Sequence, residues 1–444
     1  MHLPALLVGL RKPRGQSLVL GCVFLLVFAA YSTLQGLASQ LYGSVLASNI
    51  LLTLYAVFTA ACFPAPVVCL RLGVRRTAFC GCLCYAALCI ASLLLARWSR
   101  AAWVRPLCVF CGGVVGVGAA LLWTAQGTMM LAWGSDGQMG SVFSTFWSAF
   151  NCSAVFGGLL TYAYFSRNSS AAAPVGLFVL FTVLVLVGSL GIWLLQPLTQ
   201  AVSGSQAPSW REEAAATARM FFSLEGSLLA PFYFYTGAGQ PYQLNTFGNR
   251  VFDARTLGLQ IAAFYGAEVV SAWGAGRLLD SSTCGRRAIQ RQLALFAATT
   301  GLAYALALRT ELSVKHGAQT PLHGASLAGP SIAFVLWGAS DAQAQALAYW
   351  RIQRTSGEKS FAREVGFYKC AQSAGWCVGF ALSPVERLSP LAQLYATAVL
   401  GLLSSALMLT RLPPAGSRRP EEAADEMLHA LLAETEGEEP IDYR

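Results

Sequence analysis

The chain is dominated by twelve apolar segments, each long enough to cross a lipid bilayer as a helix of about 20 residues. The first six occupy residues 17–37, 47–70, 77–96, 106–131, 138–165 and 175–195. The second six occupy residues 218–235, 256–278, 288–308, 326–349, 361–382 and 391–411. Only 11% of the residues are charged, against about a quarter in soluble domains. We therefore expect an all-α polytopic membrane protein, embedded in the lipid bilayer.

The order of these segments predicts four regions along the chain. An N-terminal half of six helices covers residues 1–195, and a C-terminal half of six covers residues 218–411. Residues 196–217 are polar and contain proline, serine and glycine, which is typical of a linker. Residues 412–444 form an acidic tail, in which apolar residues at helical spacing allow either a short amphipathic helix or a disordered segment.

The basic residues indicate how the chain crosses the membrane. Most lysines and arginines of the short loops fall on the same side as both termini, which predicts that both termini are cytoplasmic. The loop from Arg97 to Arg105 opposes this trend. In this orientation the sequon at Asn168 faces outward, where it can be glycosylated. The arginines lie between apolar segments and not on one basic face, so no nucleic-acid partner is expected.

The sequence offers little that would support catalysis or metal binding. The thirteen cysteines lie mostly in apolar segments, where cysteine acts as a small packing residue. Cys108 and Cys111 lack a second pair of ligands, so we expect neither a metal site nor another cofactor. His316 and His323 fall in an outer loop, and no catalytic residue is assigned. An enzyme is therefore the least favoured class of function.

Two loops repeat one pattern of glycine and basic residues. The loop after the eighth segment carries Gly276, Asp280, Gly285, Arg286 and Arg287, and the loop after the second carries Arg71, Gly73, Arg75 and Arg76. This pattern resembles the loop motif of the major facilitator superfamily, whose fold has two pseudo-symmetric halves of six helices. The first copy has Pro66 and Leu70 where the motif has its glycine and its acid. That copy therefore lacks the acidic group of the usual contact.

Longer stretches resemble one branch of this superfamily, the unc-93-like proteins. The resemblance rests on YSTLQGLASQL in the first helix, GAALLWTAQG in the fourth, and YQLNTFGNRVFDARTLGL and VGFYKCAQSAGW in the second half. It covers most of residues 17–383. The family is named for a regulatory subunit of a potassium channel, and one animal branch chaperones receptors to endosomes. Membership therefore implies the fold and leaves the activity open.

One stripe in the fourth helix combines packing and polar character. Gly112, Gly116, Ala119, Trp123 and Gln126 recur at steps of three and four residues, so they share one helical face. Small residues on such a face allow close approach of a neighbouring helix. A plain packing seam explains the small end, whereas the polar end favours the wall of a cavity.

The resemblance also implies where a solute binds. Secondary transporters hold their substrate near the midplane between the halves, and this superfamily lines that cavity with the first, fourth, seventh and tenth helices. Those helices carry the candidates Tyr31, Gln35, Trp123, Thr124, Gln126, Glu225, Asp341 and Gln345. An orphan secondary transporter of a small solute or ion is the favoured function. The alternative is a non-transporting accessory subunit or trafficking chaperone, whose partner is another membrane protein, a channel or receptor.

Three charged residues interrupt the apolar segments of the second half. At about 1.5 Å per residue, Asp341 and Lys369 lie roughly 12 Å and Glu268 roughly 15 Å from the inner ends of their segments. Charge at this depth is costly and marks a functional site by default. We expect Lys369 to face a carboxylate on a neighbouring helix. The cluster then either fixes helix packing or carries a proton for coupled transport.

Overall fold

The computed structural model describes residues 8–36, 42–134, 137–167, 175–198, 209–280, 285–313, 324–383 and 387–411. Within these ranges the chain is nearly all helix and contains no strand. The first half comprises α1 (Pro13–Gly36), α2 (Ser44–Ala61), α3 (Ala65–Leu72), α4 (Val74–Arg97), α5 (Val104–Trp133), α6 (Met139–Arg167) and α7 (Val175–Gly191). After α8 (Trp210–Phe221), the second half comprises α9 (Leu224–Gln240), α10 (Gly248–Val251), α11 (Ala254–Asp280), α12 (Gly285–Ser313), α13 (Ala328–Thr355), α14 (Phe361–Leu382) and α15 (Pro390–Thr410). The sequon at Asn168 and the acidic tail lie outside the described residues.

Helices occupy all twelve predicted segments, and the second and seventh are interrupted. The second segment bends by 64° between α2 and α3. Pro64 and Pro66 lie at this bend and lack the N–H groups that would continue the helix. The seventh segment extends far beyond residue 235, because α9 continues through a π-helical stretch, Pro241–Phe247, into α10.

The predicted linker is more ordered than its composition indicates. Its last residues belong to α8, which begins after Ser209. The Ser209 hydroxyl accepts a hydrogen bond from the Glu212 backbone N–H, and the Glu212 carboxylate accepts one from the Ser209 N–H. This reciprocal capping box satisfies two backbone donors and fixes the start of α8.

Length and hydropathy alone identify fewer spanning helices than twelve. Five described helices are long and apolar enough to cross a membrane, and the bent pair α2 and α3 would make a sixth. Helix α13 is not among these five, and it buries three amide side chains and Arg351 in the protein interior. A twelve-span topology therefore remains an expectation from the sequence pattern.

The two halves meet along two principal helix pairs. The contact between α6 and α11 is the most extensive of any described helix pair, and α2 packs against α14 on the other side. Antiparallel α6 and α11 approach closely at Gly140 with Gly276 and again at Gly158 with Gly258. A Cβ on Gly140 would lie 2.2 Å from the carbonyl oxygen of Gly276. Only glycine allows the backbones to pack at this distance.

Candidate functional site

A cavity of about 130 Å³ lies between the two halves. Helices α1, α2, α4, α5 and α6 of the first half and α9, α11, α13 and α14 of the second contribute to its wall. Aromatic side chains form half of this wall: Phe28, Tyr31, Tyr55, Phe58, Tyr85, Trp123, Trp147, Phe150, Tyr265 and Trp376. Polar and charged groups complete it, including Asn151, Gln240, Glu268, Asp341, Gln345, Lys369 and Gln372. At the roughly 30 Å³ that one water occupies in the liquid, this space corresponds to about four waters or a small solute.

Glu268 projects from α11 into the cavity wall and is only 1% exposed. Its Oε2 accepts a hydrogen bond from Trp147 Nε1 at 2.7 Å and another from Asn151 Nδ2 at 2.7 Å. The other oxygen, Oε1, has no hydrogen-bond partner among the described residues, and neither does Asn151 Oδ1. Buried acceptors without partners cost about 1–3 kcal/mol each. Two unsatisfied acceptors therefore belong to wall residues that are hydrogen-bonded to each other.

Lys369 projects from α14 and is enclosed by aromatic rings. Its Nζ lies 4.4 Å from the ring centroid of Tyr368, 4.6 Å from that of Trp123 and 5.4 Å from that of Tyr349. The same nitrogen donates a hydrogen bond to Gln372 Oε1 at 2.8 Å. Ammonium groups are attracted to the faces of such rings. The ring faces and one amide oxygen thus replace water around this charge.

The carboxylate expected opposite Lys369 is Asp341 of the neighbouring helix α13, which lines the same cavity, but the two side chains form no salt bridge. Within the described ranges, salt bridges join Arg250 to Glu311, Arg351 to Glu225 and Arg363 to Glu213, and none involves Lys369. The sequence argument considered only carboxylates as partners, whereas aromatic side chains surround the ammonium. Asp341 still interacts with it electrostatically from across the cavity wall. Gln240 and Gln345 line the same cavity as Asp341.

The eight cavity candidates fall into four groups. Tyr31, Trp123, Asp341 and Gln345 line the cavity. Thr124 and Gln126 are buried away from it, and the amide oxygen of Gln126 accepts a hydrogen bond from the Tyr349 hydroxyl at 2.9 Å. Glu225 lies in the first turn of α9, with its side chain 61% exposed and paired with Arg351. Gln35 lies in α1, but its side chain is outside the described part of the chain.

The helical face in the fourth segment that carries Gly112, Gly116 and Trp123 has a packing end and a cavity end. Gly112 and Gly116 in α5 pack against α2, where a Cβ would lie 2.9 Å from Ile50 O and 2.4 Å from Leu54 O, respectively. Trp123 contacts the cavity and packs edge to face on Phe24 at 5.0 Å. The small end is therefore a packing seam, and the tryptophan belongs to the cavity wall.

Sequence reasoning missed the lining residues on the helices at the interface between the halves. Tyr55, Trp147, Asn151, Tyr265 and Gln372 all lie on α2, α6, α11 or α14. The only available signal was on α6, where Trp147 and Asn151 are four residues apart and thus share a helical face.

One end of the bundle is closed by contacts between the halves. We call it the motif end, because it holds the turn at Gly73 and the last residue of α11, Asp280. The Asp280 carboxylate accepts hydrogen bonds from the backbone N–H groups of Gly140 at 2.7 Å and Ser141 at 2.8 Å, at the start of α6. Gln353 Nε2 donates to Gly134 O at 3.0 Å. These bonds, with the Gln126–Tyr349 pair, tie the first half to the second.

The other loop-motif residues serve the motif end in different ways. Gly73 has a φ of 79°, which favours glycine, and makes the turn from α3 to α4. Arg75 donates to Leu195 O at 2.9 Å and lies over the ring of Trp193. The remaining basic members, Arg71, Arg76, Arg286 and Arg287, are exposed, and Gly285 is the first residue of α12.

Solved structures identify the class of protein. The major facilitator superfamily transporter FucP, solved in an outward conformation, is 14% identical, with a TM-score of 0.64 over 88% of this chain and 96% of that chain. A structure of the E. coli fucose:proton symporter FucP gives a TM-score of 0.62 over the same shares. At this identity the likeness shows the fold alone. The protein is a polytopic membrane protein with the major facilitator fold, as predicted.

The family follows from the sequence comparison. The family described as ion channel regulatory protein UNC-93 matches residues 49–409, and the chain belongs to this family. UNC93-like protein 1 of Arabidopsis thaliana is 28% identical over 61% of this chain, which spans 63% of that relative. UNC93-like protein C922.05c of Schizosaccharomyces pombe is 26% identical over 84% of this chain and 76% of that relative. The predicted unc-93-like resemblance is confirmed.

Proposed function

We propose that this protein is a secondary transporter that moves a small solute or ion across a membrane by alternating access. One observation carries the proposal: a single cavity between the halves holds Glu268, Asp341 and Lys369, and cross-half contacts close it at the motif end. Charged groups inside a membrane bundle mark solute and ion pathways. A cavity lined by both halves is the arrangement that rocking of one half against the other can expose alternately.

The proposed topology gives each region a part in this cycle. Residues 1–195 and 218–411 are the two moving bodies, residues 196–217 link them, and both termini are cytoplasmic. The motif end is then the cytoplasmic end, and the described state is closed toward the cytoplasm. Glycosylation at Asn168 would mark the opposite side.

Transport can be tested with the purified full chain in liposomes. A panel of sugars, amino acids, amines, organic acids and alkali cations is offered with and without an imposed pH gradient, and uptake is compared with protein-free liposomes. We expect uptake of at least one solute, and Asp341→Asn should abolish its coupling to protons while leaving the amount of folded protein unchanged. Glu212→Gln is the control, because glutamine also supports the capping box of α8.

A second candidate function is that of a non-transporting accessory subunit of another membrane protein. The description of the family as an ion channel regulatory protein supports it, and the acidic tail, residues 412–444, is the candidate docking segment. Co-purification of one channel or receptor in fixed stoichiometry, lost on deletion of that tail, would favour this role. Absence of uptake for every solute of the panel would count against transport.

A further inference from the structure

Around Glu268 and Lys369, four donor side chains of the cavity wall are already used, and two acceptors are left without donors. Trp147 and Asn151 both donate to Glu268 Oε2, and Lys369 donates to Gln372. Gln372 in turn donates through Nε2 to Thr236 Oγ1 at 3.1 Å. Within the described residues, Glu268 Oε1 and Asn151 Oδ1 are left without donors, although both side chains are 1% exposed. An occupant that satisfies this wall must bring N–H or O–H groups of its own.

The charges of the wall favour a positively charged occupant. Glu268 and Asp341 together carry two negative charges when ionised, and Lys369 supplies one positive charge. The two hydrogen bonds to Glu268 Oε2 stabilise its charged form. The Lys369 ammonium is already enclosed by three rings and an amide, and it forms no ion pair with Glu268. When Glu268 is ionised, its negative charge therefore lacks a close counter-charge.

The rest of the wall suits an apolar body attached to that positive charge. Trp147, Phe150, Tyr265 and Trp376 are members of the same wall as Glu268. Aromatic faces attract cations and also bury apolar surface. An anionic solute would instead meet two carboxylates and the one ammonium that is already surrounded.

We propose that the cavity binds a small organic ammonium cation. Its N–H groups donate to Glu268 Oε1 and Asn151 Oδ1, and its apolar part packs on the aromatic rings of the wall. The inference rests on the proposed transport function for its biological meaning, because such a cation would be the solute carried. Binding itself requires only the cavity.

Three matched probes test the charge preference. Phenylethylamine, 2-phenylethanol and phenylacetate have a phenyl ring and a two-carbon chain in common, and at neutral pH they are cationic, neutral and anionic. Binding to the full chain in nanodiscs is measured by quenching of tryptophan fluorescence, since Trp123, Trp147 and Trp376 line the cavity. We expect the amine to bind at least tenfold more tightly than the alcohol, and phenylacetate to bind most weakly.

One variant tests whether Glu268 causes the preference for a cation. Glu268→Gln keeps the shape of the side chain and removes its charge, so the affinity for phenylethylamine should fall at least tenfold, to that of 2-phenylethanol. Glu212→Gln, on α8 and outside the cavity, should leave all three affinities unchanged. The series on the unaltered protein needs no variant to fold and already decides the question.

Equal affinity for amine and alcohol in the unaltered protein would overturn the inference and indicate that Glu268 binds only a proton. Tighter binding of phenylacetate, or no binding of the amine by folded protein, would overturn it as well. Amine binding without uptake of any solute would reject transport and keep the ammonium site. Uptake of a neutral or anionic solute without amine binding would support transport and reject the ammonium site.

Discussion

The close glycine contact between α6 and α11 predicts opposite effects of alanine on stability at two positions within one helical turn. Gly274 and Gly276 both lie in α11, two residues apart. A Cβ on Gly276 would meet Gly140 O at 2.4 Å, whereas a Cβ on Gly274 meets nothing within 4 Å. Alanine should therefore be rejected at residue 276 and tolerated at residue 274.

The size of the effect follows from these distances. A contact of 2.4 Å is about 1 Å shorter than ordinary van der Waals contact, and the obstacle is backbone on a helix that cannot rotate away. Overpacking of this kind costs about 1–3 kcal/mol. In Gly274→Ala the extra methyl finds open space, and the change from glycine to alanine stabilises a helix by about 0.5–1 kcal/mol.

The assay is unfolding of the purified protein, followed by tryptophan fluorescence in one detergent for all variants. Gly276→Ala should lower the unfolding free energy by about 1–3 kcal/mol, and Gly274→Ala should leave it unchanged or raise it. Gly266→Ala, on the same helix and also in open space, is a second control. Equal effects at residues 274 and 276 would refute the argument, because composition and helix propensity are the same at both positions.

Three further predictions concern the motif end and the cavity. Asp280→Ala removes the acceptor for two N–H groups of α6 and should cost about 0.5–2 kcal/mol of unfolding free energy, as lost helix caps do; an unchanged value would mean that the contact is replaced by water. Trp123→Ala deletes a large ring packed on Phe24 and Phe28 and should cost about 3–5 kcal/mol. In the same assay, Gln126→Ala should cost less, about 1–3 kcal/mol, because it removes the hydrogen bonds of the amide to Tyr349 and Met130 and leaves the buried Tyr349 hydroxyl without its acceptor. Lys369→Met should preserve assembly and change any uptake, because Lys369 forms no salt bridge whose loss would leave an acid unpaired. If this variant fails to assemble and the combination of Lys369→Met with Asp341→Asn restores assembly, the charged cluster is a structural pair.

The sequence predicted the helices well because their length and hydropathy are local properties. It misplaced the start of the seventh segment at residue 218, whereas α9 begins at Leu224. Six residues of helix correspond to about 9 Å, so Glu225 was expected inside the cavity and lies instead at the exposed end of α9. The error came from composition, since the apolar residues of α8 resemble those of a spanning helix.

The cavity itself could be predicted only in part. Tyr31, Trp123, Asp341 and Gln345 were found because they are polar or aromatic residues on helices that the superfamily implicates. Glu268 of α11 and Lys369 of α14 were found by their charge, whereas the aromatic and amide residues of α2, α6, α11 and α14 were missed, because their inward faces depend on how the helices cross. The surroundings of Lys369 depend on rings from α5, α13 and α14. No pattern within one segment reveals such an enclosure.

The two sides of the motif end are closed by different chemistry. On one side Gly276 packs against Gly140, and Asp280 binds the start of α6. On the other side, the first copy of the loop motif has Pro66 in place of glycine and Leu70 in place of the acid. There α3 and α14 meet through Pro66 and Gly366, and a Cβ on Gly366 would lie 2.8 Å from Pro66 Cγ.

The linker helix α8 supplies a charged contact on that second side. Glu213 accepts a hydrogen bond from Arg363 Nε of α14 at 2.7 Å, and Glu213 is only 6% exposed. At the other end of α8, the ring of Phe221 packs on Phe63 at the bend of the first half and on Phe367 of the second. The helix between the halves thus contacts both of them where the loop motif has lost its acid. Because the acid of one side comes from α11 and that of the other from α8, opening the motif end breaks a contact within the bundle on one side and displaces the linker on the other.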